Sequence, residues 1–231
     1  MTRCRMLAFL ALFFLSAVAV SAGEIHKEVP GDTSPSARYL FYMHGAWVER
    51  HGPNSFNRQH GVRYEYDEIV RTLADRGFTV ISETRPKETR PPQYARIVAK
   101  QIQVLIARGV PAGNITVAGH SKGGSITRQV SSSLLVPRVN YVIMAGCGRE
   151  GTPHHRTYNR FLQRNARMMV GRMLSLYDAA DKESGTCGES FSLADLTESK
   201  ETVFETGRGH GLFYTPEPIW VDAVCTWAGL E

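Results

Sequence analysis

Ser121 stands between glycines in Val117-Ala118-Gly119-His120-Ser121-Lys122-Gly123-Gly124-Ser125, and three chemistries compete for such a stretch. A phosphate-cradling loop needs Gly-x-x-x-x-Gly-Lys-Ser/Thr, whereas Lys122 precedes Gly123 and Gly124. A dinucleotide-binding fingerprint, Gly-x-Gly-x-x-Gly, is absent from this stretch. What remains is Gly-x-Ser-x-Gly, a turn so tight that only small residues flank it. Between a strand and a helix it pushes the hydroxyl out at the helix N-terminus, where the dipole favours negative charge. In that geometry the Lys122 backbone N–H is one donor of an oxyanion hole. The Lys122 ammonium sits at the unfavourable end of the dipole, so it meets an anionic substrate, pairs with a carboxylate or, as surface lysines ordinarily do, is solvated.

A glycine-rich turn without chemistry has the same composition, so partners decide. Serine becomes a nucleophile when an imidazole takes its proton and a carboxylate holds that imidazole in the right tautomer. His210, between glycines in Gly207-Arg208-Gly209-His210-Gly211, is the candidate base, and Leu176-Tyr177-Asp178-Ala179-Ala180-Asp181 offers two acids. His26, His51, His60, His154 and His155 show no His-Glu-x-x-His spacing and there is no paired-cysteine motif, so neither a metal nor another cofactor is expected.

The elements that must position these residues follow from periodicity. Apolar runs of strand length recur at 38–44, 78–83, 114–119, 140–146, 172–178 and 201–207. Their continuous apolarity suits strands covered on both faces. Helical faces fall between them: Tyr66, Ile69, Val70 and Leu73; Val98, Ile102, Leu105 and Ile106; Ile126, Val130 and Leu134; and, last, Trp220, Val221, Val224 and Trp227. Gly77 and Gly109 sit where helices would stop, and Pro216 and Pro218 where the last would start. This β-α alternation implies an α/β fold with a parallel sheet of about six strands. Ligands bind such sheets beyond the carboxyl ends of the strands, where Met43 to Trp47, Gly119 to Gly123, Asp178 to Asp181 and Gly207 to Gly211 all fall.

With these motifs the chain resembles the α/β-hydrolase superfamily, in a small capless form close to esterases and dienelactone-hydrolase-like enzymes. The resemblance covers roughly residues 38–228 and rests on the Ser121 elbow, a later acid and His210, in that order. It implies a mostly parallel sheet flanked by helices, though the two further strands that usually open the superfamily's sheet are not evident. Residues 23–37 have room for one short strand at most. It implies that the acid lies three residues after the turn residue closing its strand, which selects Asp181 and leaves Asp178 to cap the turn. His44-Gly45 resembles the oxyanion loop, making the Ala46 N–H the second donor and Trp47 a pocket wall. His44 and His120 are expected to be structural. The stretch from Gly148 to Gly171 has room for one short helix, so no large cap is expected. The implied activity is hydrolysis of a small-molecule ester through an acyl-enzyme. A thioesterase, an acyltransferase or a non-catalytic binder would share the same residues.

Composition bounds the rest. The 231 residues carry 27 Lys and Arg against 22 Asp and Glu, a mild excess that suggests no nucleic-acid partner. Arg156, Arg160, Arg164, Arg167 and Arg172 concentrate positive charge in one stretch. A solvated helix face is the ordinary reading, an anionic surface or substrate the other. Arg3 and Arg5 precede an apolar run from Leu7 to Val20 that ends in Val20-Ser21-Ala22. Residues 1–22 thus read as a secretory signal peptide and residues 23–231 as one domain, secreted or periplasmic, without stable membrane insertion once the signal is removed. Cys147 and Cys187 each follow a neighbouring strand on one sheet edge and are expected to pair, leaving Cys225 a buried thiol.

Overall fold

The computed structural model describes residues 23–230; the segment 1–22, read from the sequence as a signal peptide, lies outside the described residues. In chain order the first half contains β1 (Ile25–His26), β2 (Arg38–Met43), α1 (Ala46–His51), β3 (Phe56–Asn57), β4 (Val62–Arg63), α2 (Tyr66–Asp75), β5 (Phe78–Ile81), α3 (Pro91–Ala107) and β6 (Ile115–His120). The second contains α4 (Lys122–Leu134), β7 (Asn140–Met144), β8 (Cys147–Gly148), α5 (Pro153–Arg164), β9 (Arg172–Asp178), β10 (Ser184–Gly185), α6 (Gly188–Leu193), β11 (Ser199–Phe204) and α7 (Pro218–Ala228).

Seven strands form one sheet in the order β1-β5-β2-β6-β7-β9-β11, with every neighbouring pair parallel. All six expected strands are present. The seventh, β1, is the short strand that residues 23–37 had room for, and it pairs with β5 through Ile25 and His26 alone. Two short antiparallel pairs stand outside the sheet among the described residues, the hairpin of β3 with β4 and the long-range pair of β8 with β10.

Side chains alternate across a strand, and here they divide the interior in two. Tyr39, Phe41, Met43, Val117, Tyr141 and Ile143 face α3, α4 and α5 in one core. Leu40, Tyr42, Ala118, Val142, Leu174 and Leu176 face α2 and α7 in the other. Both faces being covered explains why these strands read as unbroken apolar runs. Gly77 and Gly109 follow α2 and α3 with φ of 96° and 86°, the left-handed conformation that ends a helix, and Pro218 opens α7 as expected.

Because the strands are parallel, the carboxyl ends of β2, β6, β9 and β11 share one sheet edge, and the loops after them carry the candidate residues. Between β7 and β9 the chain inserts β8, α5 and one 3-10 turn, so no large cap covers that edge among the described residues. Among the described residues, no helix is long and apolar enough to cross a membrane.

Cys147 and Cys187 are joined by a disulfide that closes a 40-residue separation, and Cys225 is a buried free thiol. Constraining a loop of that length in the unfolded chain is worth about 4 kcal/mol. The Cys147→Ala/Cys187→Ala double variant is therefore expected to melt roughly 10 °C below the wild type by calorimetry. A shift within two degrees of zero would show that the bridge carries no stability.

Candidate active site

The turn after β6 places Ser121 at φ 57° and ψ −114°, a backbone state that L residues rarely occupy. Such strain costs about 1–3 kcal/mol and persists where the surroundings over-determine it. Two glycines do so here. A Cβ on Gly119 would lie 2.4 Å from the Gly123 backbone, and one on Gly123 would lie 1.9 Å from the Met43 carbonyl oxygen. The start of α4 is thereby pressed onto the end of β2. Ser121 N–H donates to the Met144 carbonyl (2.8 Å), which ties the turn to β7.

His210 lies in a 3-10 turn, Gly209–Tyr214, rather than in the open loop its flanking glycines suggest. Its Nδ1 is 2.8 Å from Asp181 Oδ2, and both groups are buried. The other Asp181 oxygen accepts the N–H groups of Glu183 (2.7 Å) and Ser184 (3.0 Å), which aims the carboxylate at the imidazole. Asp178 is engaged elsewhere. It accepts the N–H groups of Ala180, Thr206 and Gly209 and the Thr206 hydroxyl, tying the end of β9 to the loop after β11. Burial opposes ionisation of Asp178, and these four donors outweigh it, holding the carboxyl below its usual value. Of the two acids, Asp181 is the one that meets His210.

The imidazole of His210 packs against that of His120, with ring centroids 4.8 Å apart, directly beside the serine turn. The His210 side-chain bond goes to Asp181, and none joins it to Ser121 Oγ, a contact that commonly tightens when substrate docks. His120 is buried and is held well below its ordinary pKa by burial and by the neighbouring His210 and His60. It is a packing residue, as expected. So is His44, whose Nε2 accepts the Arg85 N–H (3.0 Å) and whose pKa burial and Arg85 push well down.

Beside Ser121 opens a cavity of ≈ 230 Å³ whose lining includes Ala46, Ser121, Lys122, Ser125, His154 and Ser184. Ala46 and Lys122 are the first residues of α1 and α4, whose N–H groups have no carbonyl one turn back to bind. The Gly45 N–H before them is taken by the Tyr64 hydroxyl (3.1 Å) and the Ser121 N–H by Met144. Ala46 and Lys122 therefore hold the first unclaimed N–H groups on the two walls. Trp47 departs from expectation: it is not in the cavity lining, and its ring stacks on His51 at 3.7 Å because α1 turns it away along the helix.

Lys122 departs too. Its ammonium pairs with Glu49 (2.5 Å), whose carboxylate also binds Arg85 (2.9 Å), and Arg85 in turn bonds the His44 carbonyl. This network fastens the loop after β2 to the serine turn, and its members Glu49 and Arg85 were not singled out from the sequence. Glu183 bridges His154 (3.3 Å), which lines the cavity, and His60 (3.4 Å). Their hydrogen bonds hold its carboxyl well below the usual carboxylate range, and the bond to Glu183 raises His154.

No protein-family profile and no curated protein matches the sequence. Solved structures do match the fold. SOBER1 of Arabidopsis thaliana aligns with a TM-score of 0.55 at 10% identity over 84% of this chain and 98% of that one. A YdeN-like hydrolase of Pectobacterium atrosepticum gives 0.51 at 11%, covering 84% and 91%. Esterase B of Lactobacillus rhamnosis gives 0.54 at 14%, covering 85% and 77%.

Removing one member of a buried charge network leaves the others uncompensated, at about 3–5 kcal/mol. Glu49→Gln is expected to lose stability of that order in urea unfolding, whereas an unchanged midpoint would show that Arg85 and Lys122 find other partners. The parallel sheet, its strand order and the serine turn after β6 together make this an α/β-hydrolase fold.

Proposed function

We propose that the chain is a serine hydrolase that cleaves small carboxylic esters through an acyl-enzyme. The observation that carries this reading is the buried Asp181–His210 pair at 2.8 Å beside a serine held at φ 57°. With Nδ1 bound to Asp181, Nε2 is the nitrogen left to take a proton. Ser121 Oγ attacks the carbonyl carbon as its proton passes to His210, and the Ala46 and Lys122 N–H groups receive the developing oxyanion. His210 then returns the proton to the leaving alcohol, which departs and leaves the acyl group on Ser121. Water, deprotonated by His210, attacks that ester and releases the acid and the free serine. No step requires a cofactor. That two structural neighbours are named a hydrolase and an esterase supports the class. The Cys147–Cys187 bridge supports an exported protein, secreted or periplasmic, as does the apolar run at the N-terminus.

The two aspartates separate this mechanism from structural accident. Asp181→Asn keeps shape but leaves His210 in the wrong tautomer, so turnover of 4-nitrophenyl butyrate should fall about ten-thousand-fold. Asp178→Asn should chiefly cost stability, since its carboxylate accepts four bonds that tie two loops together. Retained activity in folded Asp181→Asn with loss in Asp178→Asn would reverse the assignment.

A further inference from the structure

Arg128 is a buried cation without an anion. It is 2% exposed and has no carboxylate partner among the described residues. Its Nη2 donates to Ser125 Oγ (3.0 Å) and to the Gly146 carbonyl (2.9 Å), while Nε and Nη1 are buried with no hydrogen-bond partner. Tyr158 and Phe161 pack on the guanidinium at 4.8 and 4.6 Å from their ring centroids. Burial lowers its pKa to about 10, so it stays charged at neutral pH. A desolvated charge of this kind is costly unless something compensates it.

What surrounds it points to the compensation. Arg128 lines a cavity of ≈ 510 Å³ together with Arg90, Arg160 and Arg164, and no Asp or Glu is in that lining. None of the four arginines is in an ion pair among the described residues; Arg160 reaches only Thr157, at 3.5 Å. The cavity shares Pro91, Ser125 and Thr157 with the one beside Ser121, so the two lie side by side along the start of α4. Ser121, Ser125 and Arg128 stand at i, i+4 and i+7 along one face at the start of α4, spanning about 10 Å of axis. An arm bound to Ser121 would thus run along this face toward the guanidinium.

We propose that the Arg128 cavity binds a carboxylate carried on one arm of the ester that Ser121 cleaves, so that the substrate class is small anionic esters such as half esters of dicarboxylic acids. The inference rests on the serine-hydrolase reading for its chemistry but not for its binding. A carboxylate held in the cavity compensates the Arg128 charge, and Arg160 and Arg164 on α5 add attraction at the rim. The arginine-rich stretch of α5 is then more than a solvated helix face.

The test is the preference for an anionic ester over its neutral counterpart, at 0.15 M salt. Two pairs cover the two arms: mono-4-nitrophenyl adipate against 4-nitrophenyl hexanoate, and 4-acetoxybutyrate against butyl acetate. The wild type should prefer the anionic member of at least one pair in kcat/KM. That ratio should fall about tenfold in Arg160→Gln/Arg164→Gln and in Arg128→Met. It should hold in Arg167→Gln, which removes one positive charge outside the cavity. The exposed pair keeps the test open if Arg128→Met fails to fold. Equal rates within both pairs, or a preference that survives in Arg160→Gln/Arg164→Gln, would overturn the proposal. Should no ester be turned over, calorimetric titration with adipate decides. Binding lost in the double variant keeps the anion site and removes the hydrolase reading, and absence of binding to the wild type removes both.

Discussion

The close approach of the serine turn to the end of β2 is the constraint on which the site depends. Gly123 lies so near the Met43 carbonyl that a single added carbon has no place, and Gly119 is equally closed against Gly123. That contact brings the first residues of α1 and α4 onto facing walls of one cavity and holds Ser121 in a strained backbone state. Any wider turn would separate the Ala46 and Lys122 N–H groups and relax the serine at once. Strain and proximity have the same cause.

Charge completes what close packing begins. Glu49 joins Arg85 on one side and Lys122 on the other, so that the loop after β2 and the helix after β6 are held by one carboxylate. Across the sheet edge, Asp178 and Asp181 divide the work of their strand end. The first ties β9 to the loop that follows β11, and the second meets His210. Aligning an imidazole in this way needs both, because the pair can form only where the two loops are already fastened. Arg128 stands apart from these arrangements as a charge that the fold leaves uncompensated.

Much of this was legible in the sequence, for definite reasons. A strand covered on both faces must be apolar throughout, which exposed all six long strands. Chemistry placed at the ends of parallel strands put Ser121, Asp181 and His210 in candidate loops. The pairing of Cys147 with Cys187 followed from adjacent strand ends. The failures are equally physical. Helix α1 spans six residues, too few for a period to show, so Glu49 had no recognisable role and Trp47 was aimed at the wrong neighbour. Strand β1 pairs through two residues and has no pattern to read. Arg128 lies off the apolar face of α4, on the side a sequence pattern reads as solvated, and nothing local signals that Tyr158 and Phe161 bury it.

The central claim is that Ser121 is an activated nucleophile, and covalent labelling addresses it without assuming a substrate. The folded protein is treated with a fluorophosphonate and digested, and the adduct is located by mass spectrometry. A single adduct on Ser121 that vanishes in Ser121→Ala and forms far more slowly in His210→Ala is the expected result. Folded wild-type protein that acquires no adduct at Ser121 would contradict the account and leave a hydrolase fold that binds without turnover.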